Sequence, residues 1–241
     1  MTLVNPETGN TQTISLPSDL TPAFITATAT TNQILVSLQP LSASTTCAGT
    51  GAIGVISTTT ATLDYTICAG SKPGFIQVMQ NDSEAFILDQ TDNSVSALNL
   101  TALTPSSTAS VVGAVGATPI WATTSLDGNT LYVLNQGSSN ISVVDAVAET
   151  VNTTPITTGT LVTPSVIITD SSLNRLYVSN TGNNTVSILD ASSSALPALN
   201  IVTVGTAPVS LAVTPDGASV YVANTGSNFA SVINANSFNT T

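Results

Sequence analysis

Tyr221-Val222-Ala223-Asn224-Thr225-Gly226, near the C-terminus, repeats with small changes as Tyr177-Val178-Ser179-Asn180-Thr181-Gly182 and as Tyr132-Val133-Leu134-Asn135-Gln136-Gly137. The tyrosines lie 45 and 44 residues apart, so one supersecondary unit is being reiterated. Working outward from each, a proline stands 13 residues before the tyrosine (Pro119, Pro164, Pro208) and an Asp or Asn 13 residues after it (Asp145, Asp190, Asn234). Pro73, Phe86 and Asn99 keep both spacings; Pro22 and Leu35 keep the first, and an insertion follows them. Prolines at 22, 73, 119, 164 and 208 therefore mark five repeats along the 241 residues.

Inside a repeat the pattern reads as short strands separated by turn chemistry. Val, Ile, Thr and Tyr supply stiff side chains that pack well on a pleated surface. Asp127-Gly128-Asn129 and Asp216-Gly217 precede the tyrosine strand and favour a hairpin. After that strand comes an Asn-x-Gly turn, in which the Asn side chain can bond the turn backbone and the Gly is expected to take a conformation that other residues avoid. A third strand follows (Ile141 to Val144, Val186 to Leu189, Ala230 to Ile233), then a fourth ending near Val112, Ile156 or Val204. Four antiparallel strands every ~45 residues predict an all-β propeller of about five blades, with no helix of useful length.

The composition excludes several functions. Two basic residues, Lys72 and Arg175, face 13 acids, for a formal charge of -11. Nucleic acid is therefore not an expected partner, because phosphate binding needs several cationic contacts. With no histidine there is no Ser-His-Asp or Cys-His relay and no imidazole metal ligand. Carboxylate chemistry survives this census. Charged residues make up only 6%, and 71 Ser and Thr with 20 Asn take their place, while 42% apolar content is enough for a core. No apolar run is long enough for a membrane helix, and the first residues contain no secretory leader pattern.

Tyr221-Val222-Ala223-Asn224-Thr225-Gly226-Ser227-Asn228, preceded by Thr214-Pro215-Asp216-Gly217, resembles the repeat of the YVTN family of β-propellers, found among surface-layer and secreted proteins of archaea and bacteria. The resemblance covers nearly the whole chain; it is clear in the last three repeats and weakens toward Phe86-Ile87-Leu88-Asp89 and Leu35-Val36-Ser37-Leu38. It implies a propeller in an extracytoplasmic setting and carries no catalytic residue set with it.

Asn5 holds the place of Asp145 and Asp190 in their repeats, and Asn5 to Asn234 spans 229 residues, or five periods of ~46. Residues 1–18, through Thr11–Leu16, are expected to supply the outer strand of the blade at 208–234 and so close a five-bladed ring; the alternative is a segment of a larger propeller. Cys47 and Cys68, the only cysteines, flank the inserted loop of the first blade. A disulfide there is the favoured reading over two buried thiols, and it would place the protein outside a reducing cytosol. Asn-x-Ser/Thr glycosylation sequons at Asn81, Asn99, Asn140, Asn152, Asn183 and Asn239 are as many as this composition yields by chance.

Phe24, Phe75 and Trp121 each stand two residues after their blade's proline. They read either as an apolar ligand patch on the face of the Asn-x-Gly turns or as packing between blades. Lys72 and Gln136 belong to the same face and complete the candidate ligand-binding set. Asn135, Asn180 and Asn224 are structural turn residues in this reading. Asp82, Glu84, Asp89 and Asp92 form the one acidic cluster, but Asp82 and Asp92 fall in turns at opposite ends of a strand and cannot meet. Metal ligands, cofactors and catalytic residues are not expected. The function expected is a non-catalytic binding or structural module for a protein or glycan, with no transmembrane segment. The alternative is a propeller hydrolase, lactonase-like, or a metal-dependent enzyme.

Overall fold

Pro119 pairs across to Asn135, and Thr124 to Leu131, in an antiparallel ladder with one register shift between Pro119 and Trp121. The same shift recurs after Pro164 and Pro208, so the missing N–H of each proline is placed where the ladder is already irregular. The computed structural model describes residues 1–4, 7–42, 44–170 and 172–240. Asn5 lies outside the described residues.

A hairpin opens the chain, β1 (Thr2–Val4) with β2 (Thr11–Thr13). Five antiparallel sheets follow in chain order. The first contains β3 (Leu20–Ala27), β4 (Gln33–Pro40), β5 (Ala52–Ser57) and β6 (Thr62–Cys68). The second contains β7 (Pro73–Val78), β8 (Glu84–Asp89), β9 (Ser94–Asn99) and β10 (Ser110–Ala114). The third has β11 (Pro119–Thr124), β12 (Thr130–Asn135), β13 (Asn140–Asp145) and β14 (Thr150–Val151). The fourth has β15 (Pro164–Asp170), β16 (Arg175–Asn180), β17 (Thr185–Asp190) and β18 (Ala198–Thr203). The fifth is three-stranded: β19 (Pro208–Val213), β20 (Ser219–Asn224) and β21 (Ala230–Asn234). Among the described residues the one helical element is a single 3-10 turn, Thr46–Gly49. The fold class is an all-β propeller of five blades. The chain divides into two compact units, Met1–Gly113 and Ala114–Thr241.

In each unit the core lies between neighbouring sheets. Leu35, Ile53, Val55 and Ile67 of the first sheet pack on Ile76, Ala85, Ile87 and Leu98 of the second. In the other unit, Tyr132, Leu134 and Ile141 pack on Ile167, Leu176, Val178 and Leu189, and Tyr177, Val186 and Ile188 pack on Leu211, Val220, Val222 and Ile233. Both faces of an inner sheet are thus apolar, which is why its strands read as continuous rather than alternating hydrophobic runs.

Two outer strands depart from the regular pattern for local reasons. β14 stops after Val151 because Asn152 turns back to accept the Thr154 N–H at 3.1 Å and Pro155 has no N–H to give; pairing resumes as a single bridge between Ile141 and Ile156. The stretch Thr11–Thr13, expected to pair with the blade at 208–234, pairs with Thr2–Val4, and a bridge from Ile233 to Thr240 lies beside β21.

Cys47 and Cys68 form a disulfide, with Cα atoms 5.3 Å apart and a sequence separation of 21. It ties the long β4–β5 connection to the end of β6. Asp19 holds the same connection from the other side, accepting the N–H groups of Thr45 and Thr46, both at 2.9 Å, and the Thr46 hydroxyl at 2.8 Å. Replacing both cysteines by serine is expected to cost about 3 kcal/mol through the entropy of the opened loop and to lower the melting temperature by about 6–12 °C. Calorimetry on the double variant and on the reduced wild type checks this; an unchanged transition in both would mean that Asp19 alone holds the loop.

Candidate functional site

On the Asn-x-Gly side of the third, fourth and fifth sheets, one local arrangement occurs three times. The buried amides of Asn135, Asn180 and Asn224 lie 3.0, 2.9 and 3.1 Å from the hydroxyls of Ser142, Ser187 and Ser231, each seven residues further on. Those hydroxyls reach the segment that enters the inner strand: Ser142 accepts from Gly116 N–H, Ser187 donates to the Thr160 carbonyl and Ser231 accepts from Gly205 N–H. Two backbone bonds complete each lacing, such as Thr181 and Gly182 N–H to the carbonyls of Thr163 and Val162.

This lacing explains the glycine differently from the sequence expectation. Gly182 has no positive φ; a Cβ there would stand 2.8 Å from Val162 Cγ1 and from Thr163 Oγ1 and 2.9 Å from the Val162 carbonyl oxygen. Close approach, and not an unusual dihedral, excludes a side chain. In the second sheet a carboxylate takes over the asparagine's place. Buried Asp89 accepts the N–H groups of Lys72, Thr91 and Asp92 at 2.8, 3.0 and 2.8 Å.

The candidate ligand residues are placed as follows. Phe24 and Phe75 stack on each other, ring centroids 4.6 Å apart, and Phe75 is buried. Trp121 is half-buried against the cores of the third to fifth sheets. The Gln136 amide donates to the Pro164 carbonyl at 3.0 Å, tying the third sheet to the inner strand of the fourth. Lys72 is exposed. Asp82 and Asp92 are apart: Asp82 accepts from the Thr30 hydroxyl at 2.7 Å, and Asp92 from the Ser71 hydroxyl and N–H.

Chemically active groups gather at the opposite end of the fourth sheet, where β15 turns into β16. Asp170 is 2% exposed and Tyr177 fully buried; among the described residues Asp170 Oδ2 and the Tyr177 hydroxyl make no hydrogen bond of full geometry, and the phenol lies within interaction range of both Asp170 and Arg175. Asp170 Oδ1 is occupied by Ser172 N–H and hydroxyl at 2.9 and 2.7 Å and by Leu173 N–H. Arg175, opposite Asp170 in the ladder, donates to the Ala235 carbonyl and lies 5.1 Å from the centre of the Phe238 ring. Burial pushes the Tyr177 phenol above its ordinary value, with Asp170 adding to the shift and Arg175 opposing it. The Ser172–Asp170 pair is not a nucleophile dyad, because Ser192–Asp190 repeats the same turn bond in the same sheet and Ser125–Asp127 and Thr214–Asp216 make it in reverse order in the third and fifth. Among the described residues no three acidic or cysteine side chains form a metal-holding group.

No protein-family model matches the chain, and no curated protein matches it either. Solved structures do. A proposed 6-phosphogluconolactonase of Bacteroides uniformis superposes with a TM-score of 0.73 at 16% identity, over 97% of this chain and 72% of that one. The dihydro-heme d1 dehydrogenase NirN gives 0.67 at 15% identity, over 94% of this chain and 46% of that one, so the chain spans less than half its length. A chain of the Nidogen/Laminin complex gives 0.65 at 11% identity, over 98% of this chain and 83% of that one. At these identities the likeness is one of fold: the chain shares a β-propeller architecture with them.

The expectation that the chain is not an enzyme is corrected by these comparisons, since the propellers it resembles include a proposed lactonase and a dehydrogenase. The missing histidine excludes imidazole relays alone, and the fold itself is no argument against catalysis.

Asp82 links the second sheet to the loop before β4, and the Ala29 and Thr30 N–H groups with the Thr30 hydroxyl hold its carboxylate below the ordinary range. A carboxyl group lowered on folding stabilises fully above its unfolded value near ~4, and the contribution is lost as pH falls through the folded value. Asp82→Asn is expected to lower the melting temperature by about 2–6 °C at neutral pH. The gap to wild type should narrow as pH falls below the unfolded value and through the lowered folded one, where the wild-type carboxylate is protonated too; a constant gap across the titration would assign the effect to shape instead of charge.

Proposed function

We propose that the chain is an extracytoplasmic propeller of the YVTN kind and that it hydrolyses a lactone or related ester without histidine. The observation that carries this reading is the grouping of two buried polar atoms, Asp170 Oδ2 and the Tyr177 hydroxyl, beside the Arg175 guanidinium. A buried water needs two or more polar partners, and these two atoms supply them. Asp170 would accept a proton from that water as it attacks the carbonyl carbon, and Arg175 would offset the negative charge that develops on the carbonyl oxygen; the acyl C–O bond then breaks and the departing oxygen takes the proton back from Asp170. The likeness to a proposed 6-phosphogluconolactonase supports the substrate class. Asp170 is only 2% exposed, so in this reading substrate reaches it only when its surroundings open. The Cys47–Cys68 bridge supports an oxidising compartment, and no helix among the described residues is long and apolar enough to cross a membrane.

A second reading, recognition of a protein or glycan partner, draws on the likeness to a chain of the Nidogen/Laminin complex and on the exposed Tyr221 and Phe229.

Incubation with a panel of lactones, with and without divalent cations, is expected to give turnover that falls at least ~100-fold in Asp170→Asn and ~10-fold in Tyr177→Phe, with folding checked by circular dichroism. Wild-type turnover no faster than buffer would overturn the hydrolase reading.

A further inference from the structure

Arg175 stands on β16 between two carboxylates, opposite Asp170 of β15 in one ladder and opposite Asp190 of β17 in the other. Its guanidinium is also engaged, donating to the Ala235 carbonyl and lying over the Phe238 ring. A third carboxylate comes from the fifth sheet. The β19–β20 turn that carries Asp216 rests on this corner so closely that a Cβ on Gly217 would overlap Ser172 Oγ and stand 3.1 Å from Asp170 Oδ1. The Ser192 hydroxyl and N–H hold Asp190 below the ordinary carboxylate range, and the Thr214 hydroxyl and Ala218 N–H do the same for Asp216. Both are therefore charged at neutral pH. Three carboxylates thus surround one guanidinium, and residues 114–241 as a whole hold six acids against that same cation. The chain's other cation, Lys72, precedes Pro73 at the Asn-x-Gly end of the second sheet, whereas Asp170 closes β15 at the other end of its own sheet. Nor do the turn hydroxyls of this corner offer themselves to an anion: Ser172, Ser192 and Thr214 each donate to the carboxylate of their own turn.

We propose that this site takes uncharged lactones and turns away those that carry a phosphate or another anionic group, with Asp190 and Asp216 as the residues that set the preference. The proposal rests on the hydrolase reading and narrows its substrate class. Recognition of a phosphate calls for cationic forks or clustered donors aimed at its oxygens. Here the one guanidinium is already matched by Asp170 and Asp190, and Asp216 leaves the corner with an excess of negative charge. A phosphate would bring its own negative charge into that field, which the formal charge of -11 on the whole chain reinforces. Repulsion of this kind amounts to about tenfold at low ionic strength and fades as the Debye length shrinks to about 3 Å at 1 M salt. A neutral ring bearing only hydroxyls escapes it.

A neutral sugar lactone and the same ring carrying a phosphate form the test pair. For the wild type, kcat/KM is expected to be at least ~10-fold higher for the neutral lactone at low salt, with the preference shrinking to about 2-fold at about 1 M salt. The double variant Asp190→Asn, Asp216→Asn is expected to cut the low-salt preference about 5-fold. Its turns should survive, since Asn234 accepts the N–H groups of Asn236 and Ser237 without a charge, and melting curves check this. The corresponding lactams, which resist hydrolysis, give the same comparison by equilibrium binding. Equal or faster turnover of the phosphorylated lactone overturns the proposal and leaves the hydrolase reading standing, and so does a preference that neither salt nor the double variant alters. Turnover of neither lactone overturns the hydrolase reading instead. The lactams then decide the preference: tighter binding of the neutral one upholds it, and equal, reversed or absent binding overturns it.

Discussion

The buried Asn-to-Ser contact at the end of β12, β16 and β20 is the constraint on which the last three repeats depend. A propeller blade must hold the segment leading into its inner strand close to the turn between its second and third strands, and neither is part of a β-ladder. Asn180 meets this need from a fully buried position: its Nδ2 reaches Ser187 and Thr185, and its Oδ1 accepts the Val162 N–H at 3.1 Å. A buried polar group of this kind is costly to leave unpaired, so the register of second and third strands and the path of the incoming linker have to agree. The Asn, the Ser seven residues later and the Gly two residues later are one device.

The same economy governs the carboxylates. With two cations in the chain, the acids cannot be balanced by ion pairs, and they are used as acceptors for backbone N–H groups. Asp145 takes those of Val147 and Ala148, and Asp190 takes that of Ser192. Asn234 does the same for Asn236 and Ser237 without charge. The chain therefore tolerates Asp or Asn at this position because the acceptor oxygen, not the charge, closes the turn. Asp19 is the extreme case, held well below the ordinary carboxylate range by the Thr46 N–H and hydroxyl and by Ser44 and Thr45.

Repetition made the architecture legible in the sequence. The Pro-to-Tyr and Tyr-to-Asp spacings are the lengths of two hairpins, and they survive even where letters change, as at Phe86 and Asn99. The partner serines Ser142, Ser187 and Ser231 recur at the same period, but serine is so common in this chain that their recurrence does not stand out from the background. The role of Gly182 was not legible, because a close approach from a distant linker leaves no trace in local turn chemistry. Gln136 reads as a free surface amide until the Pro164 carbonyl of the next sheet is known. The Asp170–Tyr177–Arg175 group was missed for another reason: Tyr177 carries the repeat signature, and a side chain explained by periodicity invites no second question.

That last point separates fold from function in this repeat. Tyr132, Tyr177 and Tyr221 share a position, yet the first two are 7% and 0% exposed and the third 50%. Beside Tyr177, Asp170 and Arg175 face each other across the hairpin; the equivalent positions at Tyr132 are Ser125 and Thr130, which carry no charge. A single repeated letter thus does three jobs, decided by what the neighbouring sheet and the neighbouring strand provide. Periodicity identifies the positions that build the blades. Function has to be sought in the residues that break the period around them, because the repeat can be satisfied by any side chain of suitable size and the exceptions cannot be explained by packing alone.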